Sequence, residues 1–280
     1  MMKAALLQIT SSDDPAENLE VVRAMVGEAA AAGAGYVLTP EVTNCLSGSR
    51  THQREILVRE AEDIVLAGLR AAAKAHGVWL TIGSLALRTD DADGRFANRQ
   101  FLIDPQGQIA ARYDKIHMFD VTVSEGETYR ESAAYRPGTA AVLAKTPFAT
   151  LGLTICYDLR FPALHRRLAQ SGADVLVAPA AFTHVTGKAH WHALLQARAI
   201  ETGCWVLAPA QTGTHKARRG PNRKTFGHSL AITPWGEIVG ELGEEPGILY
   251  VDIDLKKVAQ ARERIPSLTH DQEFDGPDIQ

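Results

Sequence analysis

Cysteine is scarce in this chain: Cys45, Cys156 and Cys204 are the only three in 280 residues. An odd number at wide spacing excludes a disulfide-stapled scaffold and fits a reducing compartment, so a cytoplasmic protein is expected. The spacing also matches no zinc-ligand pattern, and His190 and His192, two residues apart, face different sides of a helix. No metal and no cofactor is expected. Long apolar runs are missing too. The run before Thr10 spans six residues, too short for a signal-peptide core, and no segment approaches the ~18 apolar residues that cross a bilayer. A net charge of −4 gives no electrostatic reason to expect a nucleic-acid partner. The Gly-rich phosphate loops and the Gly-x-Ser-x-Gly elbow are absent as well.

What is present reads as a soluble α/β chain. Hydrophobic residues at 45% and charged residues at 22% exclude a disordered chain and a membrane protein alike. The length suits one large domain, expected over residues 1–270 with a tail at 271–280. A buried strand over residues 3–9 precedes a helix at 15–32, started by Ser12-Asp13-Asp14-Pro15 and stopped by Gly33 and Gly35. A short strand at 36–39 ends in Pro40-Glu41. The apolar positions Ile56, Ile64, Leu66, Leu69 and Ala73 predict one long helix over 54–76. Residues 120–138 read as a long polar loop, uncommon in a compact domain unless it lines a site. A hairpin at 142–156, a helix at 162–170, a strand at 173–181 and a helix at 188–202 follow. The basic run 215–224 reads as a solvated loop in preference to an anion-binding rim. Two similar phrases, LIDPQGQIAARYD and AITPWGEIVGELG, each predict a strand-turn-strand unit and hint at two related halves. Tight hairpins require antiparallel pairs, so a layered α/β fold fits better than an all-parallel sheet.

The stretch LGLTICYDLRFP at 151–162 delivers Cys156 to the end of an apolar run, after which the sequence turns polar. A cysteine at a strand end is a small hydrophobe or a nucleophile, and the stretch alone leaves both open. A nucleophilic thiol needs a base or cation beside it. Glu41 and Lys115 each follow an apolar strand, as Cys156 does, so all three can converge at one sheet edge.

PE at 40–41, YDKIH at 113–117 and LTICYDLRFP at 153–162 resemble, in order and spacing, the three signature segments of the carbon–nitrogen hydrolase (nitrilase) superfamily. The resemblance implies a four-layer α-β-β-α sandwich with two mixed central sheets, assembled as a homodimer or a higher homo-oligomer. It implies a Glu-Lys-Cys triad of Glu41, Lys115 and Cys156, with Glu131 as a supporting glutamate. The implied activity is hydrolysis of a small-molecule amide through a cysteine thioester, with release of ammonia. CYDLRFP is similar to the amidase branch that contains deaminated glutathione amidase and omega-amidase, rather than to the Cys-Trp-Glu of true nitrilases. Residues 185–204 and 208–215 are closer to the former of the two. Substrates of both carry an α-keto acid, so Arg160 is the expected carboxylate partner, with Tyr157, Phe182, Thr183 and Trp191 as pocket walls. A catalytically silent scaffold of the same fold would show a lost triad member, and none is lost.

Overall fold

The computed structural model describes residues 1–125 and 127–277. Its first half runs β1 (Met2–Gln8), α1 (Pro15–Ala31), β2 (Tyr36–Leu38), α2 (Arg50–Ile56), α3 (Ile64–His76), β3 (Trp79–Arg88), β4 (Phe96–Ile103) and β5 (Ile109–Asp114). A small hairpin, β6 (Asp120–Ser124) and β7 (Glu127–Arg130), comes next. The second half runs β8 (Val142–Lys145), β9 (Thr150–Leu153), α4 (Pro162–Gln170), β10 (Val175–Val177), α5 (His184–Thr202) and β11 (Trp205–Ala208). It continues through the hairpin β12 (Thr212–His215) and β13 (Arg223–Phe226) to β14 (Leu230–Ile232) and β15 (Ile238–Glu241). β16 (Gly247–Ile253) and α6 (Lys256–Arg264) close the chain.

The strands form two six-stranded mixed sheets, ordered β16-β1-β2-β3-β4-β5 and β15-β14-β11-β10-β9-β8. In each, three parallel strands with helical connections are followed by two antiparallel strands around an x-Pro-x-Gly turn. The two related halves hinted at by the repeated phrases therefore share one sheet topology. Helices α1 and α3 cover the outer face of the first sheet, where Val22, Val26, Leu66 and Leu69 meet Leu7, Val37, Leu80 and Phe101. Leu6, Leu38 and Tyr113 of that sheet share a core with Leu151, Leu153 and Leu176 of the second, and Trp191, Leu195 and Ala199 of α5 belong to the same cluster. The fold is the expected α-β-β-α sandwich.

The residues account for most element boundaries. Asp14 caps α1 by accepting the N–H groups of Ala16 and Glu17, and Gly203 ends α5 in the left-handed conformation. The single helix expected over 54–76 is instead two. Leu57 turns extended and buries itself, and Asp63 starts α3 by accepting the Leu66 N–H at 2.7 Å. Ile64, expected inside, is left half exposed. The expected strand 173–181 is a regular strand only over Val175–Val177, with an isolated bridge from Ala180 to Ala210 beyond it. The expected loop 120–138 contains the β6–β7 hairpin. In the basic run, His215 is buried, while Arg218 and Arg219 lie exposed and pair with Asp14 and Glu55 at 2.7 Å each. Arg166 and Gln170 of α4 donate to Asp271, so the tail touches the body at its start. Residues 278–280 of the expected tail lie outside the described residues.

Two buried histidines give the fold a pH dependence. Burial holds both His165 and His215 down at about 4. Each is therefore neutral in the folded protein, while the unfolded chain takes up a proton near pH 6.5. Their contribution is complete above pH 6.5 and is lost as the pH falls towards 4, on the order of 3 kcal/mol each. Denaturant unfolding should show stability dropping between pH 6.5 and 4.5, and His165→Gln or His215→Gln should remove about half of that slope. A flat profile across this window would refute the account.

Candidate active site

The carboxyl ends of parallel strands in the two sheets meet at one cavity of about 760 Å³. After β2 the chain turns at Pro40 and presents Glu41, and after β10 it turns at Pro179 and leads to Ala181. These turns touch because residue 83 is glycine. A Cβ there would lie 1.9 Å from the Thr39 carbonyl oxygen and 2.5 Å from the Pro179 side chain.

Cys156 lies three residues past the end of β9 and opens a 3-10 helix, Cys156–Arg160. Its φ of +49° is left-handed, as is the +48° of Val42 beside Glu41. Neither residue is glycine, and such conformations cost about 1 to 3 kcal/mol each, held here by surrounding bonds. The Cys156 N–H donates to the Pro179 carbonyl at 2.9 Å, and the Val42 N–H donates to Ser84 Oγ at 2.8 Å.

Lys115, which follows β5, is 2% exposed and lies between two carboxylates. Its Nζ donates to Glu41 Oε1 at 2.9 Å and to Glu131 Oε2 and Oε1 at 2.8 and 3.0 Å. Asn98 Nδ2 donates to the same two carboxylates, at 2.9 and 3.3 Å. Backbone donors complete the set: the Ala181 N–H donates to Glu41 Oε2 at 2.9 Å, and the Phe119 N–H adds a second bond to Glu131 Oε2 at 2.6 Å. The Cys156 thiol lies close enough to Glu41 for each to shift the titration of the other.

The electrostatics set the resting protonation. Burial alone would raise Glu41, but the Lys115 charge and the bonds from Cys156 and Lys115 outweigh it, so this carboxyl sits below its ordinary value. Burial and the Glu41 charge push the Cys156 thiol well up, against the pull of Lys115. Burial opposes the charge on Lys115, yet Glu131 and Glu41 together raise it well above the usual lysine value. The pocket thus rests as a thiol beside a carboxylate base and an ammonium. It is not a preformed thiolate.

Of the residues singled out from sequence, Glu41, Lys115, Glu131, Cys156, Tyr157, Phe182 and Thr183 line this cavity, and Arg160 and Trp191 do not. Arg160 lies over the Phe182 ring at 5.6 Å and meets His190 at 3.2 Å, because four residues on from Cys156 the turn has swung towards α5. Trp191 is core: it packs on Phe182 and donates to the His228 carbonyl at 2.8 Å. Thr183 also caps α5.

Three residues escaped notice. Asn98 left no signal, since one Asn in a strand is indistinguishable from an exposed one. Arg223 was hidden in the basic run. Asp158 stood inside CYDLRFP. It is fully buried and accepts from Tyr113 OH at 2.7 Å, His117 N–H at 3.0 Å and Ile155 N–H at 2.9 Å, with His117 Nδ1 at 2.7 Å. It therefore ties the Lys115 segment to the cysteine turn. Among the described residues no cluster could hold a metal ion.

A model of the carbon–nitrogen hydrolase family matches residues 3–263. The chain belongs to the carbon–nitrogen hydrolase family. It is a hydrolase of carbon–nitrogen bonds other than peptide bonds. A deaminated glutathione amidase of Synechocystis sp. is 43% identical over 95% of this chain and 97% of its own. That of Homo sapiens is 35% identical over 95% and 81%. The crystal structure of C. elegans NitFhit superimposes with a TM-score of 0.89 at 34% identity, covering 97% of this hydrolase and 65% of that chain. An amidase of Nesterenkonia sp. AN1, in a mutant form, matches at TM-score 0.76 and 26% identity over 95% and 98% of the two chains. Acrylamide has added to its active-site cysteine.

Proposed function

We propose that this hydrolase cleaves deaminated glutathione, with Cys156 as nucleophile, Glu41 as general base and acid, and Lys115 as the cationic half of the oxyanion site. The observation that carries the roles is the Lys115 ammonium held 2.9 Å from the Glu41 carboxylate in the cavity that Cys156 also lines. The names of the relatives support the substrate.

The chemistry then runs as follows. Glu41 takes the thiol proton as Sγ attacks the amide carbonyl, and the new oxyanion meets Lys115 Nζ and the Tyr157 N–H. That N–H lies in the first turn of a 3-10 helix, where backbone donors lack an intrahelical acceptor. The carbon–nitrogen bond breaks as Glu41 returns its proton to the amine. In deaminated glutathione that amine is cysteinylglycine, and ammonia leaves only from an unsubstituted amide such as α-ketoglutaramate. Water, losing a proton to Glu41, attacks the thioester, and the proton passes to sulfur as the carbon–sulfur bond breaks. Glu131 and Asn98 hold Lys115 and Glu41 in register.

Two further features support the rest of the reading. All three cysteines are free thiols, in keeping with a reducing compartment. Ile200, Trp235, Ile238 and Val239 leave apolar side chains exposed on α5 and the β14–β15 hairpin, in keeping with a homo-oligomer.

Release of α-ketoglutarate should be at least about tenfold more efficient, as kcat/KM, from deaminated glutathione than from α-ketoglutaramate, a difference of ~1.4 kcal/mol. The reverse order would favour omega-amidase. The pH profile should carry a second signature. Because Glu41 is held below its ordinary value, kcat/KM should keep its plateau down to below pH ~4.3, and no rise should appear near pH ~8.5 where free thiols ionise. A rise through pH 8.5 would mean that a preformed thiolate is the nucleophile.

A further inference from the structure

The cavity has a cationic mouth that the hydrolytic mechanism above does not use. Arg223 reaches in from β13, its Nη2 donating to the Ala181 carbonyl at 2.7 Å and its guanidinium 5.4 Å from the Tyr129 ring centroid. Its Nε is sealed from solvent and has no acceptor among the described residues. Around it, Arg50, Arg130 and Lys224 line the same cavity and are exposed. Arg50 donates to the Arg130 carbonyl at 3.3 Å, and Arg130 to the Tyr129 and Val121 carbonyls at 2.8 and 3.3 Å. Among the described residues none of the three arginines is in an ion pair; Glu131, next to Arg130 in the chain, pairs with Lys115, and Glu127, which lines the same cavity, accepts from the Tyr129 hydroxyl at 2.8 Å. A chain of net charge −4 thus gathers four cations, Arg50, Arg130, Arg223 and Lys224, around one carboxylate, Glu127, at the entrance to its site.

The order of bond breaking says which part of a substrate lies there. The amine must leave, and water must enter, while the acyl group is still bonded to sulfur. The amine half therefore lies between the thioester and the open mouth. Inside, Glu41 and Glu131 already share the Lys115 ammonium, whereas the half-buried Arg223 guanidinium keeps N–H donors unused and suits a carboxylate, which it can grip through two parallel bonds.

We propose that Arg223, flanked by Arg130 and Arg50, holds a carboxylate on the departing amine half of the substrate. This rests on the deaminated glutathione reading, and the group held is then the terminal glycine carboxylate. The rim makes the enzyme selective for acidic leaving amines.

The test compares kcat/KM for deaminated glutathione and its glycine methyl ester, which share the acyl half and the scissile bond. The wild-type enzyme is expected to prefer the acid, and Arg223→Gln to lower the acid-to-ester ratio at least tenfold, through KM for the acid. Any influence of Arg223 on Glu41 acts on both substrates and cancels in the ratio. Arg130→Gln, at an exposed position, should lower the ratio a few-fold, and it decides the matter if Arg223→Gln does not fold. A wild-type enzyme that hydrolyses deaminated glutathione without preferring the acid, or a folded variant whose ratio is unchanged, overturns the rim and leaves the substrate reading standing. A wild-type enzyme active on α-ketoglutaramate and inert towards deaminated glutathione overturns the substrate reading, and the rim with it.

Discussion

Cys156→Ala is expected to lower amide hydrolysis by roughly 10⁴- to 10⁶-fold, the scale on which removal of a nucleophile acts when its partners work as a unit. The fold should barely notice. The side chain loses one sulfur atom, its N–H still donates to Pro179, and the left-handed backbone is as costly for alanine as for cysteine. A thermal melt within a few degrees of wild type, together with loss of a substrate-derived mass on the protein, is the expected pair of results. Cys45 and Cys204 make the control. Burial raises both thiols, Cys45 to about 12, and Cys204 donates to the Ala173 carbonyl at 3.2 Å inside the core. Their alanine variants should keep turnover and lose stability. Hydrolysis surviving in Cys156→Ala would remove the thioester from the mechanism.

Lys115→Met should damage both activity and stability, and this separates it from the cysteine variant. Two carboxylates, Glu41 and Glu131, now share one ammonium in a buried site. Without it they face each other, and breaking a buried ion pair by deleting one partner costs about 3 to 5 kcal/mol. In a chain of this size that is a fall in Tm on the order of 6 to 15 °C. The deficit depends on pH with a sign opposite to that of the two histidines, which variant and wild type share. With Lys115 gone, Glu41 loses the charge that holds it low and rises, so the deficit is largest where Glu41 is ionised and shrinks as falling pH protonates it. Melts of Lys115→Met at pH 7 and pH 5 should therefore converge on those of the wild type at the lower pH. A deficit equal at both pH values would mean that lost packing, and not charge, is responsible.

How much of this was legible beforehand differs from residue to residue for physical reasons. Glu41, Lys115, Glu131 and Cys156 could be singled out because each stands in a distinctive local phrase, and the cavity does bring the four together. The boundaries of α1 and α4 were readable because caps and glycines act within a turn of the backbone. The helix expected over 54–76 failed because Ile56 and Ile64 keep a helical spacing across the break at 57–63. There burial of Leu57 outweighs local propensity, and Asp63, the cap that marks the restart, looked like any helical surface acid. Arg160 stands out in the sequence because it is near Cys156 in the chain, while Arg223 lies inside a run that reads as solvated. Proximity in space was set instead by β12–β13 pairing, which brings a residue of a seemingly solvated run to the Ala181 carbonyl.

The contact at Gly83 joins two halves of like topology, with the thiol on one and its proton acceptor on the other. Neither half owns a working site. The spacing between sulfur and carboxylate is a property of how one sheet is laid upon its twin, enforced where the Pro40 and Pro179 corners rest against a residue with no side chain. Catalysis in this molecule is thus a gauge of sheet alignment. A slip of the two layers too small to expose core or melt a helix would part the acid from the thiol, and hydrolysis would stop in a protein that still looked folded.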